Sequence, residues 1–321
     1  MELGLYTDSL AHLERESVLD VAVRIGATAI EISTGGQSSA PHLDRSRLLR
    51  SPDERARLLD ALASRGLHLA ALNCSAWLLH PRTAAAQRAI VEETFILAEL
   101  LGVDRVVTMS GCPGDGTSAT TVNWPVYPWP DELVDLRRRQ WDEMVTLWRS
   151  LAPVAADHGV RVALELHPLQ LVFNVPTLLE LRAEVGETIG ANLDPSHLFW
   201  QQMDPLACIA ALGPAVHHVH LKDTALVPGE VALAGVLDVR SFENPARRAW
   251  NFRTVGRGHD RAFWTAFVRA LAEVGYGRSL SIEHEDRTDD PLAGVEESAS
   301  VARDILATTR APGERPPLEP A

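Results

Sequence analysis

The feature that most constrains this chain is an alternation. Eight short β-prone runs recur along it: "LGLYT" (3–7), "AIEIS" (29–33), "LHLAALN" (67–73), "DRVVTMS" (104–110), "VRVALEL" (160–166), "IGANLD" (189–194), "VHHVHL" (216–221) and "SLSIEH" (279–284). Helical patterns separate them, and several close on a Gly just before the next run, as in "RLLDALASRG", "FILAELLG", "LAPVAADHG" and "FVRALAEVG". Gly is the usual helix terminator because it takes the left-handed backbone without strain. A last helix, about 292–308, follows the eighth run. Eight strands, each followed by a helix, is the count of a closed parallel barrel. A doubly wound open sheet is the alternative, but no G-x-G-x-x-G follows the first strand. The expectation is an α/β fold, a single (β/α)8 TIM barrel over residues 1–310, with 311–321 as a Pro-rich tail outside the core.

At 321 residues and 46% apolar, the chain is long enough to bury one large core. Its net charge of −13, from 30 basic and 43 acidic side chains, disfavours nucleic acid, which is bound by clustered Lys and Arg. Cys74, Cys112 and Cys208 have neither metal-type spacing nor a disulfide framework, so a reducing cytoplasm is expected. No signal peptide is evident in "MELGLYTDSL". No apolar window approaches the ~18 residues of a membrane span, so no membrane partner is expected.

Two connections are too long for plain turns, 111–131 after the fourth strand and 224–260 after the seventh. Both follow a strand and so lie at the C-terminal mouth, where barrel enzymes place their sites. The first carries Trp124, Tyr127 and Trp129, which suit either an aromatic lid on a sugar or a contact in a homo-oligomer.

Successive side chains of a barrel strand alternate between the interior and the helix layer. In the fifth strand Val162, Leu164 and Leu166 suit the helices, which turns Glu165 and His167 inward. By the same parity Asp194 points inward from the sixth strand, and His218, His220 and Lys222 from the seventh. In the eighth, Leu280, Ile282 and His284 take the outer face and Glu283 the inner. Four consecutive strands thus aim Glu165, Asp194, His220 and Glu283 at one point. Three carboxylates and an imidazole would repel each other there unless a cation joined them. The hard-to-borderline donor set favours one divalent ion, Mn2+ or Mg2+ ahead of Co2+, Zn2+ or Fe2+.

Glu on the fifth strand, "DPSH" on the sixth, "HVHLKD" on the seventh, "VGRGHD" before the last-but-one helix and "SIEHED" on the eighth resemble the xylose isomerase-like barrel superfamily of sugar isomerases and epimerases. The resemblance spans nearly the whole chain. It implies one divalent ion, commonly Mn2+, on Glu165, Asp194, His220 and Glu283, gripping adjacent oxygens of a sugar while flanking carboxylates move protons. Ketose 3-epimerases have a Glu six residues after the first ligand and an Arg six after the His ligand. Leu171 and Leu226 stand there instead. Endonuclease IV needs further His ligands that "EISTGG" and "ALNCSAW" do not supply.

Such an ion would polarise a carbonyl and stabilise the enediolate left by loss of an α-proton. Glu165 and Glu283 are the expected proton-transfer pair and His167 an additional base. His197, Lys222, His259, Trp124 and Trp129 are candidate substrate contacts. The expected activity is a metal-dependent isomerase or epimerase acting on a keto- or oxo-sugar. One alternative is the metal-bearing subunit of a C-glycoside deglycosidase, or a related lyase, which would add a smaller partner subunit. A non-catalytic sugar-binding barrel is the other.

Overall fold

The computed structural model describes residues 1–309, so the tail expected at 311–321 lies outside the described residues. Among the described residues there are ten strands: β1 (Glu2–Tyr6), β2 (Ala29–Ser33), β3 (His68–Asn73), β4 (Arg105–Thr108), β5 (Arg161–Glu165), β6 (Ile189–Leu193), β7 (Val216–Leu221), β8 (Asp223–Leu226), β9 (Trp250–Arg253) and β10 (Ser279–Ile282). Eight of them close into a parallel barrel, in the order β1-β10-β7-β6-β5-β4-β3-β2. All eight runs read from the sequence are barrel strands. The last helix is Pro291–Thr309. Two of the anticipated helix terminators, Gly66 and Gly102, adopt φ 70, which a side chain would strain.

The strand parity follows from what each face must bury. Ile30, Ile32, Val162, Leu164, Val219, Leu221, Leu280 and Ile282 all join the main core against the helices. Helix Arg261–Glu273 answers with Trp264, Phe267, Val268 and Leu271, an i, i+3, i+4, i+7 stripe. Burial of each such large side chain stabilises by about 1.5–3 kcal/mol. Inside the barrel, a small separate cluster of Ala71, Val107 and Ala163 fills the space. The remaining interior positions are polar and buried, among them Glu31, Asn73, Asn192, His218, His220 and Ser281.

The two long connections are built differently. Residues 109–130 contain no helix or strand. They are pinned from beneath by Gln140, whose Nε2 donates to the carbonyls of Pro113, Gly114 and Asn123. The second connection carries its own structure, which its composition did not announce. β8 and β9 pair as an antiparallel ribbon, and helix Pro228–Ala234 lies between them. Trp200 stacks on Trp250 at 4.8 Å, and Arg248 lies 3.8 Å above Phe242, so the ribbon has a small aromatic core of its own. Cys74, Cys112 and Cys208 are free and buried. Among the described residues no helix is long and apolar enough to cross a membrane.

Candidate metal centre and active site

At the C-terminal ends of the strands lies a cavity of about 370 Å³, whose lining includes Glu165, His167, Lys222 and Glu283 together with Tyr6, Asp8, Ser38 and Glu285. That is within the ~300–1,000 Å³ of small-molecule clefts. Asp194, His197 and His220 lie buried against these groups.

Asp194 directly follows β6 and caps the short helix Pro195–Trp200, and it does two things at once. Its Oδ1 accepts the backbone N–H of Ser196 at 2.8 Å, the N-cap bond that fixes the side chain. Its Oδ2 is buried and makes no hydrogen bond, with His197 Nε2 at 3.5 Å and the Lys222 ammonium at 3.7 Å both beyond bonding reach. An orphaned, buried carboxylate oxygen is costly unless a cation meets it. Ligand atoms of Asp194, His220 and Glu283 lie within 4.8 Å of one another, so three of the four expected ligands come together. Glu165 groups at the same limit with His167 and His197. His197 joins the two sets, with Nε2 at 3.1 Å from Glu165 and 3.5 Å from Asp194. The orphaned oxygen and the donor set both fit a divalent ion.

Lys222 reaches into the same anionic cluster, with Nζ 3.3 Å from Glu283 and 3.7 Å from Asp194, and it pairs with Glu285. Its other side meets the ring of Phe252 from β9 at 4.4 Å. Phe252 also packs edge-on against His197 at 5.6 Å, so the β8–β9 ribbon roofs the site with an aromatic face.

These surroundings separate the two glutamates. Burial raises the Glu165 carboxyl, and the Glu283 charge raises it further. Burial works the same way on Glu283, but the Lys222 ammonium and His220 outweigh it and hold that carboxyl well below the usual range. Asp194 is raised by burial, with Lys222 opposing. Burial and neighbouring His197 push His167 down to about 4, so its imidazole is neutral at pH 7. His167 Nδ1 donates to the carbonyl of Pro168 at 2.5 Å, which leaves Nε2 as the bare nitrogen.

Three expected substrate contacts lie elsewhere. His259 stacks on Phe199 at 3.6 Å and bonds through Nδ1 to Asp223 at 2.8 Å. Trp124 packs edge-on against Phe173 at 5.1 Å, and Trp129 is 68% exposed. None of the three belongs to the cavity lining. Conversely, Glu31, Tyr6, Asp8, Ser38 and Asn192 belong to the site or its support and were not singled out in the sequence. The signal for Glu31 was present: "AIEIS" places Ile30 and Ile32 outward and leaves one inward carboxylate.

The family described as xylose isomerase-like TIM barrel matches residues 19–305. The YfiH protein of Bacillus subtilis (strain 168) is 40% identical over 312 residues, 96% of this chain and all of that one. Among solved structures, the IOLI protein with a bound zinc atom superposes with a TM-score of 0.67 at 18% identity, covering 97% of this chain and 100% of that one. A D-psicose 3-epimerase solved in the presence of D-fructose gives 0.61 at 15% identity, covering 97% and 98%. The chain belongs to the xylose isomerase-like TIM barrel family.

Proposed function

We propose that this protein is a divalent-metal-dependent isomerase or epimerase that moves a proton next to the carbonyl of a keto- or oxo-sugar. The observation that carries the reading is the meeting of Asp194, His220 and Glu283 beside a buried Asp194 Oδ2 that makes no hydrogen bond, with Glu165 and His167 opening into the same cavity. A dication, Mn2+ by the character of the donors, would be held by Asp194, His220 and Glu283 with Glu165 and would supply Lewis-acid polarisation of the carbonyl.

The chain's own groups then divide the proton work. Glu165, raised by burial, is the carboxylate best matched to taking and holding an α-proton. His197 fixes its Oε1 at 3.1 Å. Glu283 stays ionised beside Lys222 and flanks the substrate from another strand. His167, neutral and with Nε2 bare, can accept or return a proton from a third direction. Phe252 keeps water from Lys222 and His197. Reprotonation on the opposite face gives epimerisation, and on the neighbouring carbon gives isomerisation. The D-psicose 3-epimerase and the zinc-bearing IOLI protein support the reading as structural analogues. A cytoplasmic homo-oligomer acting on a small sugar belongs to the same proposal.

The test is solvent exchange. With Mn2+ and a panel of ketoses and oxo-sugars in deuterium oxide, the carbon next to the carbonyl should gain deuterium, and Glu165→Gln should stop it. No exchange with any of them would remove the proposal. A second reading is elimination from 3-oxo-glycosides, which starts from the same proton abstraction and would set a flat aglycone near the Phe252 ring beside Lys222. Aglycone release, with and without a candidate smaller subunit, tests that one.

A further inference from the structure

Across the barrel from His220, on β2, lies a carboxylate that the proposed chemistry does not use. Glu31 is fully buried, at 0% exposure, yet three side chains converge on it. Asn73 Nδ2 donates to Oε1 at 2.8 Å. His218 Nε2 lies 2.7 Å from Oε2. His220 Nε2 lies 3.1 and 3.2 Å from the two oxygens. The opposite nitrogen of the same ring, Nδ1, lies 2.9 Å from Glu283, on the side of the ion-binding cluster.

We infer that Glu31 is the positioning residue that keeps the hydrogen of His220 on Nε2 and so presents Nδ1 to the metal. The inference rests on the proposed metal centre. An ionised carboxylate only accepts hydrogen bonds, so a nitrogen that faces one carries a hydrogen; on the Glu283 side an ion bound by that carboxylate takes the hydrogen's place, whereas Glu31 keeps the one on Nε2. The opposite tautomer would aim a ring lone pair at the Glu31 oxygens and block Nδ1 with a proton. Asn192 does not decide the matter, because its Nδ2 lies 3.3 and 3.4 Å from the two ring nitrogens alike. Tyr6, stacked on the His220 ring at 5.8 Å and 15°, holds the ring plane.

Glu31 is itself oriented. The Oδ1 of Asn73 accepts both the N–H of Ser75 at 3.0 Å and its hydroxyl at 2.8 Å. That turns the Asn73 amide nitrogen toward Glu31. A chain Ser75–Asn73–Glu31–His220 therefore runs from β3 through β2 to β7, and it sets one atom of the metal site from the far side of the barrel. Outer partners of this kind typically account for 10–100-fold in metal affinity.

Two measurements test it on the full chain. Long-range proton–nitrogen NMR on histidine-labelled protein loaded with diamagnetic Zn2+ should place the His220 proton on Nε2; a proton on Nδ1 overturns the inference. Calorimetric titration with Mn2+, on variants shown to be folded by circular dichroism, should find Glu31→Gln weakened about 10–100-fold and Glu31→Asp partly restored. Asn73→Ala, which keeps the Glu31 charge, should weaken binding in the same direction and carries the test if Glu31→Gln does not fold. Affinity unchanged in these variants contradicts the role of Glu31 and leaves the metal centre standing. A wild-type protein that takes up no ion removes both.

Discussion

Asp223→Ala should remove about 4 kcal/mol of stability and release the long connection that roofs the site. Asp223 is completely buried and accepts five hydrogen bonds. Its Oδ2 takes the backbone N–H of Gly256 at 3.0 Å, Gly258 at 2.9 Å and His259 at 3.0 Å. Its Oδ1 takes the N–H of Thr224 and the His259 ring, both at 2.8 Å. One carboxylate thus ties "VGRGHD" to the start of β8. A bond to a charged group contributes ~1.5–3 kcal/mol, so five would sum to roughly 7–15 kcal/mol if independent. They share one acceptor and some orphaned donors would regain water, so the expected loss falls to the ~3–5 kcal/mol of a broken buried charge contact. With an unfolding entropy of ~2.1 cal/mol/K per residue, that corresponds to a drop in Tm of about 6 °C for a chain of this size. Asp223→Asn keeps the volume but turns an NH2 toward N–H donors, and should lose roughly half as much. Urea unfolding read by tryptophan fluorescence, with limited proteolysis across 224–260, measures both effects. Wild-type stability within about 1 kcal/mol for Asp223→Ala would refute the reasoning.

Three further outcomes follow from other parts of the molecule. Gly190→Ala should destabilise by about 2 kcal/mol or more in urea titration, because a Cβ there would sit 2.4 Å from the Ala215 carbonyl oxygen and 2.4 Å from the His217 ring. His217 is buried and pushed down to about 4, chiefly by burial, so the unfolded chain takes its proton first. Its contribution is therefore intact above the unfolded value near ~6.5, is lost as pH falls, and levels off below about 4 after a loss of roughly 3 kcal/mol. His217→Asn should flatten that part of the urea-midpoint profile between pH 7 and pH 4, and superimposable profiles would contradict it. Glu165→Gln should lower kcat by about 10²–10⁴ on whichever sugar shows exchange, and a loss below tenfold would assign the proton transfer to His167 or Glu283.

Much of the barrel and part of its site can be read from the sequence because both depend on strict periods. An inward Glu165, Asp194, His220 and Glu283 follow from period-2 alternation in strands whose outer residues are Val, Leu and Ile. The same reading of "AIEIS" yields Glu31, whose importance shows only when β2 is seen to face β7 across the interior. What stays hidden depends on contacts between distant segments. The pairing of Asp223–Leu226 with Trp250–Arg253 has no turn signal between its strands, since a helix and an irregular stretch intervene. Without that ribbon neither the ring of Phe252 above Lys222 nor the capture of His259 by Asp223 can be anticipated. The aromatic residues of the fourth connection divide for a similar reason. Trp124 finds Phe173 as a partner while Trp129 is left facing outward, and their spacing carries no trace of the difference.

The central claim is that Asp194 Oδ2 and its neighbours hold a dication, and metal stoichiometry reads it directly. Purified protein stripped with a chelator, equilibrated with Mn2+ and dialysed should retain one ion per chain by elemental analysis, and Asp194→Ala should retain none. No retained ion in the wild-type protein, or an unchanged ion in the variant, would contradict the account.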